Sequence, residues 1–302
     1  MKHITTQIIA PYKSASYQPM FNAMPKLQKL TALSADDQTE VLEFLSLRPV
    51  HTVVMKSFIN DNGLVSKDNR GQFFGFRNSD NKLEGVALIG HTTLIETRSR
   101  DAVNAFALQA RISETPLHII MSDSKTVELF WELFAEANQK PRLSCMELLF
   151  ELNFPFMIQD CKWNLRLANP EELEQIAEAH AEVAFIESGV NPMDKDREGF
   201  LKRTLKRIEK GRTFVVFEDD KLVFKADIVA ETDDVIYLEG IYVAEDYRGQ
   251  NVASQCLSVL SLELLNRVEN ISLLSNENFT SAHKSYAKAG FKNTDACLTI
   301  FV

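Results

Sequence analysis

The run Arg248-Gly-Gln-Asn-Val-Ala253 stands between a strand-like segment ending at Val243 and an apolar helical pattern beginning near Val252. A loop at a helix N-terminus presents backbone N–H groups that lack intrahelical acceptors, with the positive end of the helix dipole behind them. Such a concavity suits a phosphate or diphosphate. Small residues are needed where backbone must touch phosphate. Gly249 takes positive φ at no steric cost, Asn251 tolerates the left-handed region, and Ala253 leaves room for close approach. Further on, Asn276-Glu-Asn278 precedes Ala282, Tyr286 and Ala289-Gly-Phe291 at helical spacing.

Together these two segments resemble the acyl-CoA signatures of the GNAT N-acyltransferase superfamily. Arg248–Ala253 is similar to its Arg/Gln-x-x-Gly-x-Gly/Ala motif, and the second segment to Asn-x-x-Ala-x-x-x-Tyr-x-x-x-Gly-Phe. The resemblance covers Trp163–Val302 and rests on the two motifs in combination. Asn251 stands where glycine is usual, and Asn278 lies one residue too far from Ala282, so either Asn276 or Asn278 reaches the cofactor. The resemblance implies coenzyme A binding by Ile241, Tyr242, Val243, Arg248, Gly249, Gln250, Asn251, Val252, Ala253, Ser254, Asn276, Asn278 and Ser281, the backbone of Tyr242–Val243 meeting the pantetheine arm. The implied activity is direct transfer of an acetyl or other acyl group from acyl-CoA to a primary amine, in a ternary complex and without a metal. The competing expectation is a non-catalytic acyl-CoA-binding module.

Acyl transfer to an amine sets two demands. An amine of pKa about 10.4 is neutral in only about one molecule in 2,500 at pH 7, so a base or a desolvating pocket is required. The departing thiolate, with a pKa of about 8.5 by analogy with cysteine, gains from a proton donor. A tyrosine keeps its proton at pH 7 and can supply it; the resemblance gives this role to Tyr286, whose alternative is a ring packed under the sheet with its hydroxyl satisfied. Glu239, in Tyr237-Leu-Glu-Gly-Ile-Tyr242, is the candidate base. Strand parity puts it on a face with Ile241 and Val243, an apolar setting that raises a carboxyl pKa. A bulge position beside Gly240 or a lysine partner is the other reading, with Asp227, Glu231 or a relayed water as rival bases.

The elements that position these residues repeat. The first set comprises a capped helix from Ser34 with Val41, Leu42 and Leu45 on one stripe up to Pro49, then strands over 71–77, 82–90 and 93–97. A helix over Asp101–Arg111, a strand over Leu117–Met121, a helix over Ser124–Asn138 and a strand pair near Cys145–Leu152 complete it. The second set has a strand at Trp163–Ala168, a helix with Pro170 at its first position running to Ser188-Gly189, and a helix over Asp196–Lys210 ended by Gly211. Strands follow at 213–218, Leu222–Glu231 and Val235–Val243. A helix over Val252–Val268, a strand at Ile271–Ser275, a helix at Thr280–Ala289 and two short strands over Phe291–Val302 close the chain. One order thus appears twice at roughly 150-residue separation, which predicts an internal duplication.

The expected architecture is α/β, an α+β mixed sheet: two GNAT-like domains, each a mostly antiparallel mixed sheet flanked by helices. Residues 1–27 read as an irregular arm, 28–157 as a degenerate first domain and 158–302 as the acyltransferase domain, with the boundary near Leu152–Cys161 where Pro155 interrupts the pattern. At the first copy's strand–helix junction, Glu96-Thr-Arg-Ser-Arg-Asp101-Ala has no glycine and sets an acid where a diphosphate would lie. Its helix 124–138 offers Phe130 and Trp131 but no tyrosine. The basic run 202–212 reads either as a solvated face or as a contact for the cofactor's terminal phosphate or another anionic partner.

Composition narrows the classes. The chain of 302 residues has 33 Lys+Arg against 42 Asp+Glu, a formal charge of −9, which disfavours non-specific nucleic-acid binding. No apolar run approaches the ~18 residues of a membrane span, and the N-terminal apolar stretch is too short for a secretory signal. Cys145, Cys161, Cys256 and Cys297 lack paired spacing, so neither a zinc site nor a disulfide framework is expected. The expectation is a cytoplasmic monomer or homodimer whose acceptor is an amine-bearing small molecule, peptide or protein.

Overall fold

The computed structural model describes residues 30–154 and 159–302. The N-terminal arm read at 1–27 and the interruption at Pro155 lie outside these residues. One twelve-stranded sheet runs through both halves in the order β1-β2-β3-β4-β5-β12-β6-β11-β10-β9-β8-β7. The first half contributes β1 (Leu30–Ala32), α1 (Gln38–Leu45), α2 (Pro49–Asn62), β2 (Gly71–Arg77), β3 (Leu83–Gly90), β4 (Thr92–Thr97), α3 (Arg100–Arg111), β5 (Ile119–Asp123), α4 (Ser124–Phe134) and β6 (Leu143–Leu152). The second contributes β7 (Arg166–Leu167), α5 (Leu173–Ser188), α6 (Pro192–Glu209), β8 (Thr213–Glu218), β9 (Lys221–Glu231), β10 (Val235–Val243), α7 (Val252–Leu264), β11 (Asn270–Asn276), α8 (Thr280–Ala289) and β12 (Lys292–Phe301). Only β4–β5 and β10–β11 pair parallel. The architecture is therefore a mostly antiparallel mixed sheet flanked by helices.

Each half gives its last strand to the other. β12 lies between β5 and β6, and β6 lies between β12 and β11. Side-chain alternation along β6 divides its residues between the two faces. Phe150 and Leu152 join the core under α7 and α8, while Glu147 and Leu149 lie on the opposite face. Helices α3, α4, α7 and α8 cover one face, packed on cores around Phe106, Ile120 and Phe130 and around Leu257, Leu260 and Leu273. Helices α1, α2, α5 and α6 cover the other.

Several elements depart from the sequence-based reading. Helix α2 was not expected, because Pro49 reads as a terminator and Val50, Thr52, Val53 and Val54 are β-branched. Pro49 instead takes the first helical position, where its missing N–H costs nothing. Packing overrides propensity here, since Val53 inserts against Ala230, Val235 and Tyr237 of the other half. The expected strand pair near Cys145–Leu152 is one strand, and the two short strands after Phe291 are one strand with a bulge at Asn293/Asp295. The strand at Trp163–Ala168 shrinks to Arg166–Leu167. Helix α6 begins at Pro192 and kinks at Asp196.

The basic run 202–212 is largely a solvated face, with Lys202, Arg203, Lys206 and Lys210 exposed, and it also bridges the two halves. Lys206 pairs with Asp68 at 3.3 Å, Lys210 with Asp61 at 3.0 Å and Arg212 with Asp61 at 2.5 Å, all across the two halves, and Arg207 pairs with Asp227. Lys56–Asp234 at 3.0 Å and His51–Asp295 at 2.9 Å add to this seam.

Strand exchange has a measurable consequence. Neither half can lose its sheet without stripping a ladder partner from the other, so cooperativity should span the chain. Calorimetric and van't Hoff enthalpies of unfolding are expected to agree within about 10%, as a single transition requires. Two resolved transitions would show that the halves melt apart.

Candidate active site

The parallel ladder between β10 and β11 ends at Leu238/Leu273, while β10 continues to Val243 along β9. Beyond Leu238 the two strands part, and the edge of β10 from Glu239 onward faces a cleft. Gly240, at φ +60°, sits at the register shift between Glu239 and Tyr242. The uninterrupted parity assumed from the sequence therefore breaks immediately after Glu239.

At the top of the opening lies the loop before α7. Gly249 has φ +79° and Asn251 φ +61°, the positive values that their residue types permit. Among the described residues, the amides of residues 249–254 have no hydrogen-bond acceptor, whereas Arg248 N–H donates to Glu245 and Gln255 N–H to Asn251. Six consecutive free N–H groups converge where the α7 dipole is positive.

A cleft of about 560 Å³ extends from this loop, within the usual range for small-molecule sites. It gathers Ile241, Tyr242, Val243, Arg248, Gly249, Asn251, Val252, Ala253, Asn278, Ser281 and Tyr286 from the expected set. Three other expected residues stand behind it. Gln250 donates to the Asp246 carbonyl, Ser254 is buried and donates to Asn251 O, and Asn276 accepts from both nitrogens of Asn278. Between the two asparagines, Asn278 is thus the one at the cleft and Asn276 orients it. The Arg248 guanidinium folds back onto Val243 O and Glu182.

Sequence reasoning missed Lys284 and Lys288 on α8. Both line the cleft, and Lys288 donates to Asn251 Oδ1 at 2.8 Å. Their i, i+4 spacing around Tyr286 was the available signal.

Tyr286 lies at the inner end of the cleft, its ring edge-on to Phe150 and near Phe291. Burial raises its pKa to about 12, against a hydrogen bond with Ser275 that acts the other way. The expectation of a ring packed under the sheet and that of a proton donor are thus compatible here. Tyr286 also walls a second, smaller cavity of about 180 Å³, which continues past Ile241 and contains Glu239 and Glu187.

Glu239 is exposed to this cavity, and desolvation by the surrounding protein raises its pKa. Glu187 of α5 is raised to about 8, first by desolvation and then by the negative charges of Glu239 and Glu147. Glu147 on β6 is itself raised by burial, while a hydrogen bond from the Thr299 hydroxyl opposes the shift.

The rival bases are occupied. Asp227 accepts from Lys225 at 2.6 Å, Arg207 at 3.1 Å and Thr213 at 2.8 Å. Although burial would raise it, Lys225 and Arg207 hold its pKa well below the usual carboxylate range. Glu231 faces Arg212 and Arg267. Lys225 also donates to Gly240 O at 2.8 Å and so pins the bulge that presents Glu239.

The raised pKa of Glu187 has a definite sign for stability. Folding favours its protonated form, so the destabilisation is absent below about pH 4.5 and grows as pH rises toward 8. Glu187→Gln is expected to raise the melting temperature by a few degrees at pH 8 and to leave it unchanged at pH 4.5, by differential scanning calorimetry.

The corresponding place in the first half is a smaller cavity of about 50 Å³, lined by Arg48, Ile95 and Glu96. Glu96 follows the core residue Ile95 on β4 as Glu239 follows Leu238, but Arg48 pairs with it at 3.0 Å. Phe130 occupies the helical position that Tyr286 holds in α8, and Ser99 caps an α3 whose first turn carries Asp101.

Residues 209–293 match the family model described as an acetyltransferase (GNAT) domain. No curated protein matches the sequence. Among solved structures, a GNAT-family acetyltransferase from Colwellia psychrerythraea aligns at 15% identity and TM-score 0.60, over 90% of this chain and 99% of that one. A tandem GNAT protein from the clavulanic acid biosynthesis pathway aligns at 12% identity and TM-score 0.55, covering 90% and 97%. A GCN5-related N-acetyltransferase from Sphaerobacter thermophilus aligns at 13% identity and TM-score 0.53, covering 90% and 94%. At these identities the likeness is one of fold. The chain thus has the fold of tandem GNAT proteins, with the match to an acetyltransferase (GNAT) domain model lying in its second half.

Proposed function

We propose that the protein transfers an acetyl group from acetyl-CoA to a primary amine directly, within a ternary complex in the second half. The observation that carries this reading is the row of six acceptor-free amides at residues 249–254, opening on a cleft that ends at Tyr286. These amides, with Lys284 and Lys288, would hold the phosphates of coenzyme A. The free edge of β10 at residues 241–243 would receive the pantetheine amides. When bound, the thioester supplies an electrophilic carbonyl.

Glu239 takes a proton from the incoming ammonium, and its raised pKa brings it nearer the working pH than an ordinary carboxylate. The amine nitrogen forms the new N–C bond, the C–S bond breaks, Tyr286 gives its hydroxyl proton to the departing sulfur, and the nitrogen's remaining surplus proton returns to the Tyr286 oxygen. The thiols of Cys145, Cys256 and Cys297 are all raised by burial, which leaves them poor nucleophiles and favours direct transfer. Among the described residues no helix is long and apolar enough to cross a membrane and no group of side chains forms a metal site. We place the protein in the cytoplasm.

Isothermal titration with coenzyme A and thiol-release assays with acetyl-CoA and primary amines test the proposal. One coenzyme A per chain and amine-dependent thiol release are expected. Coenzyme A binding without turnover on any amine would leave a binding module instead.

A further inference from the structure

The cavity beside Tyr286 holds more negative charge than the protein's own cations answer. Glu187 and Glu239 both line it, and neither makes a hydrogen bond or ion pair with a described residue. By contrast, the buried carboxylates Glu96 and Asp227 pair with Arg48 and Lys225. Lys225 and Arg207, the cations nearest Glu239, are both engaged by Asp227.

Accepting a proton from one ammonium requires a single carboxylate. Glu187 remains. A second cation on the same ligand would meet it in a partly desolvated site, where opposite charges attract more strongly than in water. About 180 Å³, walled by Ile186, Leu274 and Phe279, accommodates a short aliphatic chain and no folded partner.

We propose that the acceptor is a small aliphatic diamine or polyamine, acylated at the nitrogen beside Glu239 and Tyr286 and held through its second ammonium by Glu187. This rests on the acyl-transfer reading above. The reacting nitrogen loses one proton to Glu239 and attacks the thioester carbonyl. As the C–S bond breaks the sulfur takes the Tyr286 proton, the nitrogen's second proton passes to the Tyr286 oxygen, and the second ammonium is unchanged. The product has one cation fewer than the acceptor, so its hold on the cavity is weaker and release is favoured.

The test compares 1,4-diaminobutane with n-butylamine, using the full-length protein and acetyl-CoA. The kcat/KM for the diamine is expected to exceed that for the monoamine by about tenfold or more, equivalent to about 1.4 kcal/mol. Glu187→Gln should shrink that ratio about three- to tenfold, through the diamine KM. Without acetyl-CoA, titrating 1,4-diaminobutane at pH 7 into buffers of different ionisation enthalpy should show proton release in the wild type and none in Glu187→Gln. A neutral group on Glu187 in the free cavity ionises as the ammonium enters. Glu187 stands on an exposed stretch of α5, so that variant is expected to fold. Equal kcat/KM for the two amines in a protein that acetylates n-butylamine would overturn the diamine proposal and leave acyl transfer standing. Failure to bind coenzyme A would defeat the earlier reading instead.

Discussion

Replacing Tyr286 by Phe is expected to lower acetyl-transfer turnover by roughly 10²–10³-fold, the range for loss of a positioned general acid, with coenzyme A affinity changed by less than about twofold. The argument is geometric first. Phe keeps the edge-on contact with Phe150 and the packing on Phe291, so the inner wall of the cleft stands and only the hydroxyl is lost. Burial raises the hydroxyl's pKa to about 12, so the protonated donor persists as pH rises from 7 to 10. Wild-type turnover should therefore show no loss of this donor across that interval. Steady-state kinetics and titration of coenzyme A read the two quantities separately. Turnover within threefold of wild type would sink the proton-donor role, and a parallel collapse of coenzyme A affinity would show that the hydroxyl serves binding.

Signals local in the chain were legible, and those that depend on distant partners were not. Gly249 and Asn251 announce a left-handed loop because few residue types tolerate positive φ, and Val252 starts an apolar helical stripe beside them. Tyr286 could be found for the same reason, since its offsets from Ala282 and Gly290 follow the helix period. Alternation along β6 and β12 shows that they are strands. It carries nothing about which half supplies the neighbour, so the exchange that sets β6 beside β11 and β12 beside β5 was not visible. Helix α2 was hidden by residues that favour strands in isolation and become helical through contact with the other half. Glu187 was missed because it reads as one more acid on the polar face of α5. Its perturbation arises first from desolvation in the folded protein and then from Glu239, some 50 residues away, and Glu147.

The pair Lys225 and Asp227 illustrates the same limit and leads to the largest expected effect on stability. Two charges spaced by two in a strand read as one exposed face, yet both side chains are buried, Lys225 completely. Asp227→Ala leaves the Lys225 ammonium without its anionic partner, and Arg207 loses its ion pair as well. Breaking a buried ion pair by removing one member costs about 3–5 kcal/mol, which in a chain of this size corresponds to about 10 °C in melting temperature. Urea denaturation and calorimetry measure it. The double variant Lys225→Met/Asp227→Leu is expected to recover most of the loss, because no uncompensated charge remains in the interior. Acid should act in the same direction as the alanine variant. Asp227 has a depressed pKa, so its contribution is complete above about pH 4 and is lost as pH falls below that value. His180, depressed to about 3 by burial and by Lys225, is neutral in the fold; its contribution is present above about pH 6.5 and is lost as pH falls toward 3. Below about pH 4.5, where the relief at Glu187 is complete, wild-type stability is therefore expected to decline toward pH 3, and the decline below pH 4 should be shallower in Asp227→Ala. A loss under 1 kcal/mol in Asp227→Ala at pH 7 would mean that water reaches Lys225. The bulge at Gly240, which that ammonium pins from behind, would then owe its shape to the strand backbone alone.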